Sequence, residues 1–411
     1  MDKETFLVVD TNLGLEYARR FGVDGYTTYY SVVHASPYPR LADEICGYGF
    51  NEIIKIYDWG EGLDAGAGTV VFIDSGFGAI ADYLRSKGYY VFGSDSTTEL
   101  LELDRIYVRN VLKKLGINVP PADIIKGVDK VIEYMDILRE KRFIKISKFR
   151  GDFETMGTDN AKDLEVRLRK GGYQIIGKDV WFVLEKPMNE GAVEVGVDAF
   201  FNGSEFMDIV FETIEVSGAG NLTKAQEYTE SIWYEVLEKI SPFLAKHGYH
   251  GLFCMEGFFD GNTIYVTDVT PRHPFPCGYA YPKWVGNLSE LYIAMASGDE
   301  LKPIVPTTYS AQIGVYTDNP NDWGAIHYDD YDFKWITYRR VIHADGEIWF
   351  VPGDYLVATA VSAADKWRTA ITEAINRAKN VIYPQSYYMG YEFKNYCESV
   401  INKLEKLGYE W

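Results

Sequence analysis

Short apolar, β-rich runs alternate with helical stretches through the first hundred residues, and this alternation constrains the fold more than any other feature of the chain. Phe6–Val9 leads through a polar turn at Asp10–Asn12 into a helix-like stretch from Leu13 to Phe21. Thr69–Asp74 leads through Ser75-Gly76-Phe77-Gly78 into a helical pattern ending near Lys87-Gly88, and Tyr89–Phe92 follows as another strand. Strands separated by helices pair in parallel through crossover connections. In such sheets the loops at the carboxyl ends of strands bind ligands. The loops after Asp10 and Asp74 are therefore candidate binding loops.

From Leu100 the pattern is helical to about Gly116 and stops before Pro120-Pro121, where a helix cannot continue. Strands are expected at Phe143–Ile146, Val180–Leu184, Val193–Phe201, Leu252–Phe259 and Thr263–Val269, with a helix at Glu227–His247. Lys302–Thr307 reads as a linker. The tail has a hairpin about Asp345-Gly346 and a helix from Ala363 to about Asn380. Length and pattern predict an α/β and α+β multidomain protein: a parallel-sheet domain over 1–103, a central domain over 104–301, and a small α+β domain over 302–411.

Acidic side chains outnumber basic ones by 60 to 41, a formal charge of −19. Such a surface repels phosphate backbones and anionic lipid, which argues against general nucleic-acid or membrane binding. A nucleotide substrate would need a locally basic pocket or a metal ion against that field. The four cysteines form no CxxC pair, and no stretch nears the ~18 apolar residues of a membrane span. With no cleavable signal pattern at the start, a soluble cytoplasmic protein is expected.

Three stretches carry candidate chemistry. Leu252–Phe259 and Thr263–Val269 flank Asp260-Gly261-Asn262, a tight-turn signature. The hairpin would set Glu256 and Asp268 at neighbouring positions of adjacent strands. Two carboxylates with Thr270 and Arg272 suit Mg²⁺ holding a polyphosphate; alternation alone also allows both acids to face solvent. In Phe143–Ile146 a lysine, Lys145, sits among apolar neighbours ahead of Lys148, Arg150 and Gly151. Lysine there can neutralise phosphates, although lysines at strand ends are usually solvated. Val183-Leu184 runs into Glu185-Lys186-Pro187-Met188, with Glu194 nine residues after Glu185. It reads either as a hinge meeting an adenine edge or as an edge strand ended by proline.

In order and spacing, Lys145, Glu185-Lys186-Pro187-Met188 with Glu194, and Glu256 followed by Asp268-Val269-Thr270-Pro271-Arg272 resemble the ATP-grasp superfamily. That pattern is a nucleotide lysine, a Glu-Lys-x-Leu hinge, and an acid followed by Glu-x-Asn-x-Arg. Asp74–Gly78, Gly88–Gly93, Leu101–Arg105, Leu115–Pro120 and the tail look like the glycinamide ribonucleotide synthetase family, so the likeness spans nearly the whole chain. The departures are specific. The family's opening Gly-x-Gly-Gly-Arg-Glu-His-Ala is Thr11-Asn-Leu-Gly-Leu-Glu-Tyr-Ala18 here, and the phosphate loop is reduced to Gly151 with Lys148 and Arg150.

The resemblance implies an ATP-grasp fold with its nucleotide-binding subdomain at about 118–186. It implies an ADP-forming carboxylate–amine ligase of purine-biosynthesis-like type, working through an acyl phosphate with ATP and Mg²⁺ or Mn²⁺. Lys145 and Lys148 would hold phosphates, Glu185, Lys186 and Met188 the adenine, and Glu194 the ribose. Glu256, Asp268 and Thr270 would hold metal, and Arg272 would stabilise the transferred phosphoryl group. Asp10, Asp74, Ser75 and Gly76 would face the acceptor. An acid at each of those strand ends opposes phosphate but suits sugar hydroxyls or an ammonium group, and Asp is also a preferred helix cap. A ligase or kinase with another acceptor, such as an amino acid joined to a modified nucleotide or peptide, and a non-catalytic nucleotide-binding protein remain open alternatives.

Overall fold

The computed structural model describes residues 2–33, 40–148, 155–171, 177–275, 277–328 and 333–411. Strands β1 (Asp2–Asp10), β2 (Thr27–Val32), β3 (Ile54–Lys55), β4 (Ala67–Phe72) and β5 (Tyr90–Phe92) form a parallel sheet ordered β3-β2-β1-β4-β5. A parallel sheet covered on both faces needs continuous apolar runs, and the Phe6–Val9 run supplies one. Phe6 and Val8 pack with Leu15, Ala18 and Phe21 of helix Leu15–Val23. Leu7 and Val9 pack with Val70, Phe72, Ala81 and Leu84 on the other side.

A second sheet is antiparallel, ordered β6-β9-β7-β8 from β6 (Ala122–Lys126), β7 (Arg142–Ile146), β8 (Met156–Thr158) and β9 (Trp181–Glu185). It has its own core. Ile144, Ile146, Phe182 and Leu184 pack against Val131 and Met135 of helix Val128–Leu138 and Leu164 of helix Ala161–Lys170. Burying each such side chain contributes about 1.5–3 kcal/mol. Because side chains alternate across a strand, the opposite face is left to Phe143, Lys145, Val183 and Glu185.

The largest sheet begins with β10 (Val193–Phe201), β11 (Phe206–Val216), β12 (Gly220–Glu227), β13 (Gly251–Phe259), β14 (Ile264–Thr270) and β15 (Tyr309–Thr317), ordered β14-β13-β10-β11-β12-β15. It continues through Leu356–Ala364 and Ile336–Thr337. Strands after residue 308 thus extend the sheet that carries the β13–β14 hairpin. The expected tail hairpin pairs Val341–Ala344 with Glu347–Phe350. Its turn residues Asp345 and Gly346 have φ of 55° and 80°, the paired positive values a two-residue hairpin turn requires. The tail helix is Trp367–Lys379, and a further helix, Gly390–Lys406, lies against β10, β11 and β12. No described helix is long and apolar enough to cross a membrane.

The helical stretch expected from residue 100 is two helices, Leu100–Leu103 and Arg105–Lys114, divided at Asp104. The Asp104 carboxylate accepts the N–H groups of Ile106 and Tyr107, both at 3.1 Å, and the Ser147 hydroxyl at 2.9 Å. This cap fixes the second helix onto the end of β7 and turns Glu102 and Arg105 toward the same cleft.

Candidate functional site

Pairing along the β13–β14 hairpin sets Glu256 directly opposite Asp268. The turn residues fix that register, as the sequence predicts. The register then slips between Glu256 and Gly257, leaving Thr267 as an extra residue on β14. A bulge of this kind frees backbone groups and re-aims side chains. Here the Thr267 carbonyl accepts from Lys145 Nζ at 3.2 Å, and the Thr267 hydroxyl donates to the Glu256 carbonyl at 3.1 Å.

Lys145 thereby joins the two sheets. Its ammonium lies 2.9 Å from Asp268 Oδ2 and 3.2 Å from Glu185 Oε2. Arg105 Nη1 holds the other Asp268 oxygen at 2.7 Å, and Arg109 Nη1 holds the other Glu185 oxygen at 2.8 Å. Charges thus alternate from Arg109 through Glu185, Lys145 and Asp268 to Arg105. Burying ions at these positions is tolerable only because each has an opposite partner. Burial lowers the pKa of Arg109 from its ordinary value, against the opposing pull of Glu185.

Glu185, Lys145, Asp268 and Arg105 line one wall of a cleft of about 680 Å³. Lys186, Met188, Glu194, Glu256, Thr270 and Arg272 also reach it, with Phe143 and Phe258 as apolar walls. The Glu256 carboxyl opens into the cleft, and its pKa is pushed up to about 8. Restricted access to water is the main cause, and the carboxylates of Glu215, Asp268, Glu194 and Asp198 add to it. Desolvation likewise raises Glu194, against the pull of Lys145.

Arg272 closes the far end. Its guanidinium meets Glu102 through Nη2 to Oε1 at 2.7 Å and through Nε to both oxygens at 3.1 Å. Asp74 Oδ1 lies 3.2 Å from the same Nε. Burial opposes the Arg272 charge, but Glu102 and Asp74 outweigh it and raise its pKa. The loop after β4 thus meets the cleft through Arg272 and Glu102, which Asp74 and Ser75 contact. Its polar groups are already engaged, however. Asp74 accepts from the Thr11 hydroxyl at 2.8 Å and from the Ser75 N–H, and the Ser75 hydroxyl donates to Glu102 at 2.5 Å. The Gly76 and Gly78 N–H groups, which an anion would use, both donate to Glu99 Oε2.

Two expected ligands lie elsewhere. Asp10 is fully buried, and its carboxylate accepts the Leu13 and Gly14 N–H groups and the Tyr30 hydroxyl. It organises the loop from beneath and does not face an acceptor. Lys148 is 61% exposed, pairs with Asp104 at 3.1 Å, and lines a separate groove beside Trp181. The expected phosphate-loop residues Arg150 and Gly151 lie outside the described residues. Conversely, Glu102, Arg105, Arg109 and Glu215 belong to the site without having been singled out in the sequence.

No family model matches the chain, and no curated protein does. Solved structures do. Phosphoribosylamine–glycine ligase from Thermotoga maritima superposes with a TM-score of 0.71 at 15% identity, over 93% of this chain and 98% of that one. N5-carboxyaminoimidazole ribonucleotide synthetase from the same organism gives 0.61 at 15% identity, over 94% and 99%. The biotin carboxylase domain of Hydrogenobacter thermophilus 2-oxoglutarate carboxylase, in complex with MgADP, gives 0.65 at 13% identity, over 93% and 91%. At these identities the likeness establishes architecture, and the architecture is the multidomain ATP-grasp fold expected from the sequence.

Proposed function

We propose that this protein is an ATP-dependent carboxylate–amine ligase that forms an amide through an acyl phosphate. The meeting of Lys145 and Asp268, 2.9 Å apart across two sheets in a cleft that ends at Arg272, carries the reading. A base would lie between Met188, Phe143 and Phe258, with its edge toward the Glu185–Met188 backbone. Glu194 would take the ribose hydroxyls. The phosphates would take Asp268's place on Lys145, exchanging one charge-assisted contact for another. The solved neighbour holding MgADP supports this assignment.

A donor carboxylate oxygen attacks the γ-phosphorus, and the bond to the ADP oxygen breaks. The amine nitrogen then attacks the acyl carbon, phosphate departs with the acyl oxygen, and the nitrogen releases a proton. Such transfers depend on positioning and on neutralising charge. Arg272, held by Glu102 and Asp74, is oriented for the transferred group.

The residues fit a divalent cation in a particular way. Among the described residues no group of three or more His, Cys, Asp or Glu side chains forms a ready metal cage. Mg²⁺ needs only one or two carboxylates when phosphates and water complete its shell. Glu256, crowded by three other acids in the cleft, is the carboxylate that such an ion would relieve, with Asp268 and Thr270 beside it. A bound ion would screen the phosphates and orient them.

Purine-type substrates fit less well, because Glu99 already occupies the Gly76 and Gly78 amides and Asp74 opposes a phosphate there. The test is ADP release with Mg²⁺ across a matrix of carboxylic acids and amines. Release that requires both an acid and an amine and is lost in Lys145→Ala supports the ligase. No release above the Lys145→Ala background, together with no MgATP binding by calorimetry, overturns it.

A further inference from the structure

A second groove, of about 280 Å³, opens beside the nucleotide cleft and shares Glu194, Glu215 and Glu256 with it. Its floor follows from strand register. Gly196 of β10 lies between Glu256 on β13 and Thr213 on β11. A Cβ at residue 196 would fall 2.3 Å from Thr213 Oγ1 and 3.7 Å from Glu256 Cγ. Glycine therefore leaves the hydroxyl and the acid in one open space. Tyr396, from helix Gly390–Lys406, forms the far wall.

Resting on the ligase reading, we infer that this groove seats the amine acceptor, and that the acceptor carries a second cationic group, as a diamine or polyamine does. Among the described residues the lining holds three carboxylates, hydroxyls and no lysine or arginine. Acidic lining alone would not suffice. Thr213 is 5% exposed, and its hydroxyl meets no hydrogen-bond partner among the described residues while lining the groove. The Thr213 hydroxyl is open to the groove, so an ammonium there can donate to its oxygen while Glu194 and Glu215 balance the charge. An anionic acceptor is opposed here by electrostatics. The alternative seat, at the Asp74 loop, has its carboxylates and amides engaged within the protein.

The experiment is calorimetry of the whole protein with 1,4-diaminobutane and, separately, with glutarate, each with and without MgADP. Diaminobutane should bind in preference to glutarate, tenfold or more weakly in Glu215→Gln and severalfold more weakly in the near-isosteric Thr213→Val. MgADP affinity should stay within twofold in Thr213→Val, which also reports that this variant is folded. Tyr396→Phe, at a half-exposed wall position, gives a second variant with little risk to folding and should also weaken diaminobutane. Equal affinity for diaminobutane in all variants, or preference for glutarate, overturns the inference. A wild type that binds MgADP but no diaminobutane overturns it while leaving the ligase reading standing. Diaminobutane binding sensitive to Thr213→Val, in a protein that binds no MgADP, keeps the groove and removes the ligase reading.

Discussion

Arg272 and Glu102 meet in three polar contacts, 2.7 to 3.1 Å long, that tie the chain just past β14 to the short helix before Asp104. Glu102 is 7% exposed, so its charge depends on Arg272 and the Ser75 hydroxyl. Glu102→Gln keeps the shape and removes the charge that orients the guanidinium. We expect kcat to fall tenfold or more with KM for ATP nearly unchanged, because an orientation needed in the transition state is lost. Steady-state ADP release checks this. Equal losses in kcat and ATP affinity would instead place Arg272 on the ground-state nucleotide.

Lys145 answers to two acids from different sheets, so removing it has two consequences. Lys145→Ala leaves Glu185 and Asp268 facing each other across a partly buried gap. Breaking one member out of a buried ion-pair set costs about 3–5 kcal/mol. Lys145→Ala should therefore lower thermal stability and weaken MgATP binding together. Lys145→Arg should recover most of the stability but only part of the nucleotide affinity, since a planar fork replaces a compact point charge. Calorimetry with MgATP and a melting curve on both variants separate the two effects.

Asp268→Asn addresses the opposite partner. Its two oxygens currently hold Arg105 and Lys145, and the amide can accept but carries no charge. Turnover should fall by orders of magnitude while circular dichroism stays native. Normal activity in a folded Asp268→Asn protein would remove Asp268 from the chemistry.

The parts of the site legible in the sequence are those set by local pattern. Asp260-Gly261-Asn262 between two apolar runs fixes a hairpin, and the hairpin fixes Glu256 opposite Asp268. Ile144 and Ile146 flanking Lys145 reveal a strand with one apolar face. The bulge at Thr267 has no comparable signature, because it arises from how β14 meets Lys145 and Asn118. Arg105 and Arg109 read as the polar face of an amphipathic helix. Their partners lie 163 and 76 residues away and are set by tertiary packing alone. Glu215 had a signal: Phe206–Val216 has the β-branched and aromatic enrichment of a strand. Asp10, followed by Gly14 and a helix, carries the pattern of a loop-organising acid, and burial decides that role over ligand binding.

The last prediction concerns pH and a group away from the cleft wall. Asp198 on β10 is buried, and its carboxylate accepts from the Tyr281 hydroxyl. Desolvation raises its pKa to about 6, against the opposing hydrogen bonds from Tyr281 and Cys254. A carboxyl whose folded pKa exceeds its unfolded one favours the fold most when protonated in both states. That stability is complete below about pH 4 and is lost as pH rises through about 6. By linkage the shift corresponds to about 3 kcal/mol between those limits. Asp198→Asn removes the titration while leaving an oxygen for Tyr281. Relative to wild type, the variant should gain stability steadily from pH 4 to pH 7 and stay level above that. Denaturant midpoints of both proteins across this range measure the difference directly. A constant difference would mean that Asp198 is ionised throughout and that Tyr281 and Cys254 outweigh its desolvation.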